Sequence, residues 1–409
     1  MSEPFDPTDR PDGYINLAVA QNFLTVDAVQ KRLLAGFASP QPASTAAYDN
    51  MKGSERLRTA MAAHMHRVLA KGDYRVKISA DQLCISAGCG AILDNLFMCI
   101  TEPGDAVLIP APYYPAFDND LRVRNGAVAV PVCGDDAVSL PTPTQLDEAV
   151  EKARADGRAV KAILLTNPSN PLGVIYGEES LLDAIIWALA NDMHVVVDEV
   201  YASSVFGTTS VDERGEPVNP FVSVMVSETN LAAYEESAKT RLHVVYGLSK
   251  DFCASGYRVG VLRTRNEGVL RAMDNVAYFC TLPGPMQHAV ADMLEDERWV
   301  DEFLAENARN LRAQHGALTA ALADAGIPVV NAVAGMFAWI DLRAWMREST
   351  WEEENRLWTR AFERAKVVMT PGRDCRHGVP GCFRLCFATV TMEALTTAVG
   401  RLKEMLAEH

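Results

Sequence analysis

A chain of 409 residues is too long for one small core, so two domains are the natural expectation. Hydrophobic residues make up 49% and charged residues 22%, the balance of a soluble globular protein. The net charge of −15 argues against nucleic acid or an anionic membrane surface as a partner, while leaving room for local basic pockets. The nine cysteines are an odd number, dispersed without a C-x-x-C pair. Neither a disulfide framework nor a metal site is expected, and a reducing cytoplasm is the expected compartment. No basic stretch leads into an apolar one at the start, and no run of about 20 apolar residues occurs, so neither secretion nor membrane insertion is expected.

In chain order, residues 1–13 read as a flexible arm. Tyr14–Asn22 is a short apolar entry ending in the polar pair Gln21-Asn22. Val26, Val29, Leu33, Leu34 and Phe37 have helical spacing. Tyr48 precedes Gly53 by five residues, and an amphipathic helix follows over Glu55–Leu69. Leu83–Ser86 is a short strand, and Ala87-Gly88-Cys89-Gly90-Ala91 leads into a helix to about Cys99. Strand, glycine turn and helix aim free N–H groups and the positive helix end at a phosphate, and small residues let it approach; many α/β turns share the pattern. A turn at Pro103-Gly104-Asp105 precedes the strand Ala106–Ile109 and a proline-braced aromatic segment to Asp118. The buried strand Ala162–Leu165 runs into two Asn-Pro dipeptides within 167–173, a rigid loop at a strand's C-terminal edge, where α/β enzymes bind ligands.

A helix over Glu179–Ala190 and the strand His194–Val197 follow. Asp198 stands directly after three valines, so its carboxylate is buried and needs a cation, or else caps a helix. Residues 208–241 read as a polar surface excursion. In Leu242–Gly260 a strand delivers Lys250 to its end, and Arg258 returns to the same place eight residues later. A lysine desolvated at a sheet mouth is an imine-forming amine of lowered pKa; a lysine on an exposed strand end is the alternative. Helices near 269–278 and over 286–325 are separated by a break at 281–285, and strands fall within 335–343 and 381–388. Arg384 is embedded among apolar residues and requires an anion, either a substrate carboxylate or an internal acid. The expected division is 1–40 as arm and part of the small domain, 41–300 as large domain and 301–409 as small domain.

Ser249-Lys250 with Arg258-Val259-Gly260 resembles the cofactor-lysine segment of fold-type I pyridoxal-phosphate enzymes, the aspartate aminotransferase superfamily. The resemblance runs from about Tyr14 to about Ala388. PYYPAFD at 112–118, NPSNPLG at 167–173, LSKD at 248–251 and FRLCFA at 383–388 are together similar to the 1-aminocyclopropane-1-carboxylate (ACC) synthase branch. That resemblance implies an α/β fold, a large domain with a mostly parallel seven-stranded sheet flanked by helices and a smaller α+β C-terminal domain. It implies pyridoxal phosphate as cofactor and a homodimer with shared sites. In such a site Lys250 holds the cofactor and acts as base, Tyr114 stacks on the ring, and Asp198 pairs with the ring nitrogen. Asn170 and Tyr201 contact the phenolic oxygen. Gly88, Cys89, Gly90, Ala91, Ser249 and Arg258 hold the phosphate, and Tyr48 reaches that of the neighbouring subunit, the alternative being an aromatic packed at a helix start. Arg384 anchors the substrate carboxylate.

The chain departs from that branch at several positions. Met51 stands where ACC synthases place their tyrosine, Gly90 where they often carry a threonine, and Gly247 where a serine is common. Ala20-Gln21-Asn22 replaces Ala-Glu-Asn, and Asn119 replaces an arginine, so the charge near the substrate is retuned. The implied substrate is S-adenosylmethionine or a similar γ-substituted amino acid, near Ala20, Gln21 and Asn119. Loss of the Cα proton and of methylthioadenosine would leave a vinylglycine-type species that cyclises or is captured by a second small molecule. A class I/II aminotransferase is the alternative. A non-catalytic binding protein is disfavoured because Lys250, Asp198 and Arg384 are all present.

Overall fold

The computed structural model describes residues 3–207 and 219–408. Seven strands form one sheet: Leu83–Ser86, Ala106–Ala111, Val128–Cys133, Val160–Thr166, His194–Asp198, Leu242–Gly247 and Gly260–Thr264. Named by first residue, their spatial order is 83, 260, 242, 194, 160, 106, 128. The strand at 260 alone runs against its neighbours, so the sheet is mostly parallel, as expected.

Alternate residues of the central strands enter different cores. Ile163, Leu165, Val195, Val197, Val244 and Tyr246 face one; Leu164, Val196 and Val245 face another with Ile92, Leu96 and Phe97. Parallel strands need crossovers that cover both faces, which is why these runs are apolar throughout rather than alternating. Each fully buried aliphatic side chain contributes about 1.5–3 kcal/mol, so these two layers dominate the stability of the large domain. Capping defines helix starts. The Ser54 side chain accepts the Leu57 N–H before Glu55–His64, and Thr142 and Gln145 form a reciprocal box at Pro143–Ala155.

A second core holds Ile15, Leu17, Leu311, Leu318, Phe337, Phe383, Leu395 and Leu402. It lies against a three-stranded antiparallel sheet in the order Thr370–Pro371, Cys382–Cys386, Phe337–Asp341. The helix Glu297–Asp324 serves both units, with Val300 and Phe303 in the first core and Leu311 and Leu318 in the second. The N-terminal segment is likewise shared. Ile15–Asn16 pairs with Val367–Val368, whereas Val29 and Leu33 of the helix Val26–Ala38 enter the first core.

Two expectations are corrected. Residues 3–13 are docked rather than free: the Phe5 N–H donates to the Tyr14 carbonyl at 2.9 Å, and Arg401 donates to the Gly13 carbonyl at 2.8 Å. The stretch closes its own turn, with the Thr8 and Asp9 N–H groups on the Asp6 carboxylate at 2.9 and 2.8 Å. Of the expected surface excursion, residues 208–218 lie outside the described residues. Beyond them Phe221, Val224, Met225, Leu231 and Ala238 are buried, and the Glu228 carboxylate pairs with Arg263 at 2.6 Å and Arg265 at 2.7 Å. Short helices gather these scattered apolar residues onto one face. Among the described residues no helix is long and apolar enough to cross a membrane.

Candidate active site

The strands at 83, 160, 194 and 242 end at one edge of the sheet, and the reversed strand at 260 begins there. Gly260 lies opposite both Ser86 and Gly247, and this register returns Arg258 to the lysine. Lys250 lies in the short helix Leu248–Asp251, half-buried, and its Nζ donates to the Ala20 carbonyl at 2.5 Å. Burial lowers the pKa of its amine, so it is no exposed strand-end lysine. Next to it the Asp251 carboxylate, fully buried, accepts the Ser204 hydroxyl at 2.6 Å, the Ser203 N–H at 2.8 Å and the Tyr246 hydroxyl at 3.2 Å. The backbone carrying the lysine is therefore tied to two neighbouring segments.

Asp198 ends its strand 6% exposed and accepts the Val200 N–H at 3.1 Å. No helix starts there and no cation among the described residues forms an ion pair with it; burial raises its pKa to about 7. Tyr201 is buried beside it, and its hydroxyl accepts from Asn170 Nδ2 at 3.1 Å. Asn170 Oδ1 in turn accepts from Arg384 at 2.9 Å. The guanidinium also donates to the Ala18 carbonyl at 2.7 Å and to the Thr370 hydroxyl at 3.2 Å, all neutral acceptors, so there is no internal salt bridge. Arg384 is 3% exposed and its Nε has no partner, which leaves a buried cation with unspent donor capacity. Tyr114 is half-buried, edge-on to Phe117 at 5.4 Å.

Gly88, at φ +93°, caps the helix Cys89–Ile100, whose first N–H to bond back is that of Ile92, to the Gly88 carbonyl at 3.1 Å. The N–H groups of Cys89, Gly90 and Ala91 thus form a free positive end. Arg258, itself left-handed at φ +56°, donates to the Ser255 carbonyl at 2.8 Å and the Ala87 carbonyl at 3.3 Å and lies where a Gly88 side chain would project. Ser249, the residue before Lys250, is buried. A Cβ at Gly247 would come within 2.6 Å of Cys89 Sγ and 2.7 Å of the Val259 carbonyl. The thiol therefore occupies the room that a side chain at 247 would need, and it donates to the Tyr246 carbonyl at 3.3 Å.

A model of the family described as "Aminotransferase class I and II" matches residues 12–402. The chain belongs to this family. It is 33% identical to 1-aminocyclopropane-1-carboxylate synthase 4 of Oryza sativa subsp. japonica, over 99% of this chain and 84% of that one. It is 34% identical to 1-aminocyclopropane-1-carboxylate synthase 6 of Arabidopsis thaliana, over 98% and 79%. Among solved structures, aspartate aminotransferase from Thermus thermophilus with maleate superposes with a TM-score of 0.76 at 23% identity, covering 96% of this chain and 91% of that one. The fold is thus that of fold-type I, and the protein is a pyridoxal-phosphate-dependent enzyme resembling the ACC synthases. The residues fit the cofactor independently of that kinship. An orphaned buried carboxylate suits a protonated ring nitrogen, and a free helix end with an arginine suits a phosphate.

The other expected residues are placed as follows. Gln21 is half-buried on the segment whose Ala20 carbonyl meets Lys250; its own carbonyl accepts the Thr389 hydroxyl at 3.2 Å. Asn22 is buried on Asn307 at 2.8 Å and serves as an anchor for that segment. Tyr48 is 90% exposed, so it is not an aromatic packed at a helix start. Asn119 is exposed on the helix Phe117–Arg122, turned outward because Phe117 and Leu121 point into the core. Sequence reasoning passed over Ala18, Thr370 and Asp251. The first two lie 366 and 14 residues from Arg384, and no local spacing announces them.

Proposed function

We propose that this enzyme acts on S-adenosylmethionine, or a similar γ-substituted α-amino acid, removing the Cα proton and expelling methylthioadenosine from Cγ. The carbon skeleton then closes to a ring or is captured at Cγ by a second small molecule. The observation that supports this reading is the bond from Lys250 to the carbonyl of Ala20, the first residue of Ala20-Gln21-Asn22. Kinship of 33–34% to ACC synthases over nearly the whole chain supports it.

Pyridoxal phosphate, when bound, supplies an electron sink for charge developing at Cα. Lys250, its amine kept less basic by burial, takes the Cα proton. Asp198 holds a proton on the ring nitrogen; the cation it meets there offsets the burial that otherwise raises its pKa. Asn170 and Tyr201 steady the phenolic oxygen, Tyr114 the ring face, and Ser249, Arg258 and the Gly88–Ala91 turn the phosphate. Arg384 takes the substrate carboxylate through its unused donor capacity, oriented by Asn170 and Thr370. A homodimer in the cytoplasm, with Tyr48 serving the partner's site, completes the proposal.

Gln21 decides the outcome. At roughly 5 Å and an effective dielectric of about 20, a carboxylate would favour a sulfonium by on the order of 3 kcal/mol more than a neutral amide does. The protein with S-adenosylmethionine alone should therefore release methylthioadenosine slowly and make little ACC, and Gln21→Glu should shift products toward ACC. Chromatography of methylthioadenosine, ACC and 2-oxobutyrate tests this, with 2-oxoglutarate-dependent transamination as control. Brisk transamination without any methylthioadenosine would leave an aminotransferase instead.

A further inference from the structure

The phosphate end of the site contains a group that none of the assigned roles uses. Asp120, on the helix Phe117–Arg122, reaches across to the start of the helix Cys89–Ile100; a Cβ built on Gly90 would lie 3.7 Å from its Oδ1. That distance is ordinary van der Waals contact, so a side chain would fit at position 90, and the glycine leaves the space to the carboxyl group. Among the described residues the Asp120 side chain has no hydrogen-bonding or ionic partner, although Asp94 close by is paired with Arg124 at 2.7 Å. A dianionic phosphate drawn to the free N–H groups of Gly90 and Ala91 must settle beside this carboxyl. A dianion there would disfavour the ionised carboxyl, and the proton that resolves the conflict would turn Asp120 from a repelling acceptor into a hydrogen-bond donor.

We propose that Asp120 is a phosphate-positioning residue, which takes up a proton as the cofactor binds and donates it in a hydrogen bond to the phosphate, in the place left by the missing side chain at Gly90. The inference rests on the cofactor reading above. The surroundings favour the neutral acid. Burial and the Asp94 carboxylate on the adjacent helix raise the Asp120 pKa to about 7 before any phosphate arrives. The groups that face it from other elements are Cys89, Tyr114 and Asp198, and the Asp120 charge helps to keep each of them protonated. The cations on this edge are Arg258, held against Gly88, and Lys250, which contacts the Ala20 carbonyl.

The test compares pyridoxal phosphate with pyridoxal, which lacks only the phosphate, by spectroscopic titration of the full chain from pH 7 to 9. The ratio of the two affinities isolates the phosphate end from Lys250 and Asp198, which both ligands share. In this window the phosphate is already dianionic, so the wild-type ratio should fall by roughly ten-fold per pH unit as the carboxyl resists protonation. Asp120→Asn, which donates without a proton, should hold the ratio flat. A flat wild-type ratio would overturn the proposal without any variant, and an unchanged slope in Asp120→Asn would do the same. Failure of both ligands to bind the wild type would sink the cofactor reading itself.

Discussion

At the scale of single residues, the site is a set of buried polar groups that lack the partners their burial demands. Among the described residues Asp198 accepts one backbone hydrogen bond and forms no ion pair, and Arg384 has an unused Nε. An unpaired buried charge is among the most unfavourable features a fold can carry, and in the proposed site a ligand would offset that cost at both groups. Two expectations follow. Lys250→Ala should still bind pyridoxal phosphate through the phosphate and ring contacts but show no borohydride-reducible adduct, read by mass spectrometry, and no turnover. An adduct that persists on another lysine would remove Lys250 from its role. Asp198→Asn should keep the fold, since the amide still accepts from Val200, while slowing exchange of the substrate Cα hydrogen by at least ten-fold. Exchange at the wild-type rate, followed by NMR in deuterated solvent, would show that the carboxylate is not the ring partner.

At the scale of elements, sequence and structure agree where one residue pattern had one solution. The strand before Asp198 and that before Lys250 were readable because three-residue apolar runs ending in a polar group are strand ends in a covered sheet. The strand Val128–Cys133 and the helices Trp351–Glu363 and Met392–Ala407 were passed over. The strand, only partly buried at the sheet's rim, contains Pro131, which argues against a strand in the sequence, and the first of these helices presents Glu352, Glu353 and Glu354 at its start instead of an apolar run. The partners of Arg384 were unreadable for a different reason, being set by three-dimensional proximity alone.

An element-level pH dependence also emerges where two strands begin. His194 and His243 are stacked at 5.2 Å, His194 Nδ1 sharing a proton with His243 Nε2 at 2.9 Å, while His243 Nδ1 pairs with Thr264 at 2.8 Å. Burial first, with Arg241 and Lys161 facing His194 and with His194 and Arg263 facing His243, lowers both values, that of His194 to about 4. In the unfolded chain a histidine protonates near 6.5, so the unfolded state binds more protons below that value. The stability these rings contribute is complete above pH 6.5 and is lost as pH falls toward 4. The midpoint of thermal unfolding should therefore fall less steeply over that interval in His243→Asn than in the wild type. Raised buried carboxylates such as Asp251 oppose the trend, but they are common to both proteins and cancel in the comparison. Parallel slopes would show that the pair does not govern acid stability.

At the scale of the whole molecule, the single chain leaves the phosphate edge open. Tyr48 is 90% exposed, yet its loop is pinned to that edge, because the Ile85 N–H donates to the Lys52 carbonyl at 2.8 Å. Phe279 is 81% exposed beside Cys280, whose carbonyl holds the Ala87 N–H at 2.9 Å. Large aromatics left bare on pinned segments around a site suit the proposed two-fold partner, and a two-fold axis would make the exchange reciprocal, with each Tyr48 serving the other subunit. This geometry predicts intersubunit complementation. Lys250→Ala and Tyr48→Ala, each impaired alone, should recover activity when unfolded and refolded together, since one site in each mixed dimer keeps both native residues. With random pairing half the dimers are mixed, so recovery should approach about a quarter of the wild-type rate of Cα hydrogen exchange. If Tyr48 served its own subunit, the mixed dimer would contain one site without the lysine and one without the tyrosine. No recovery in a mixture shown by size and mass to contain mixed dimers would therefore place Tyr48 outside the partner's site.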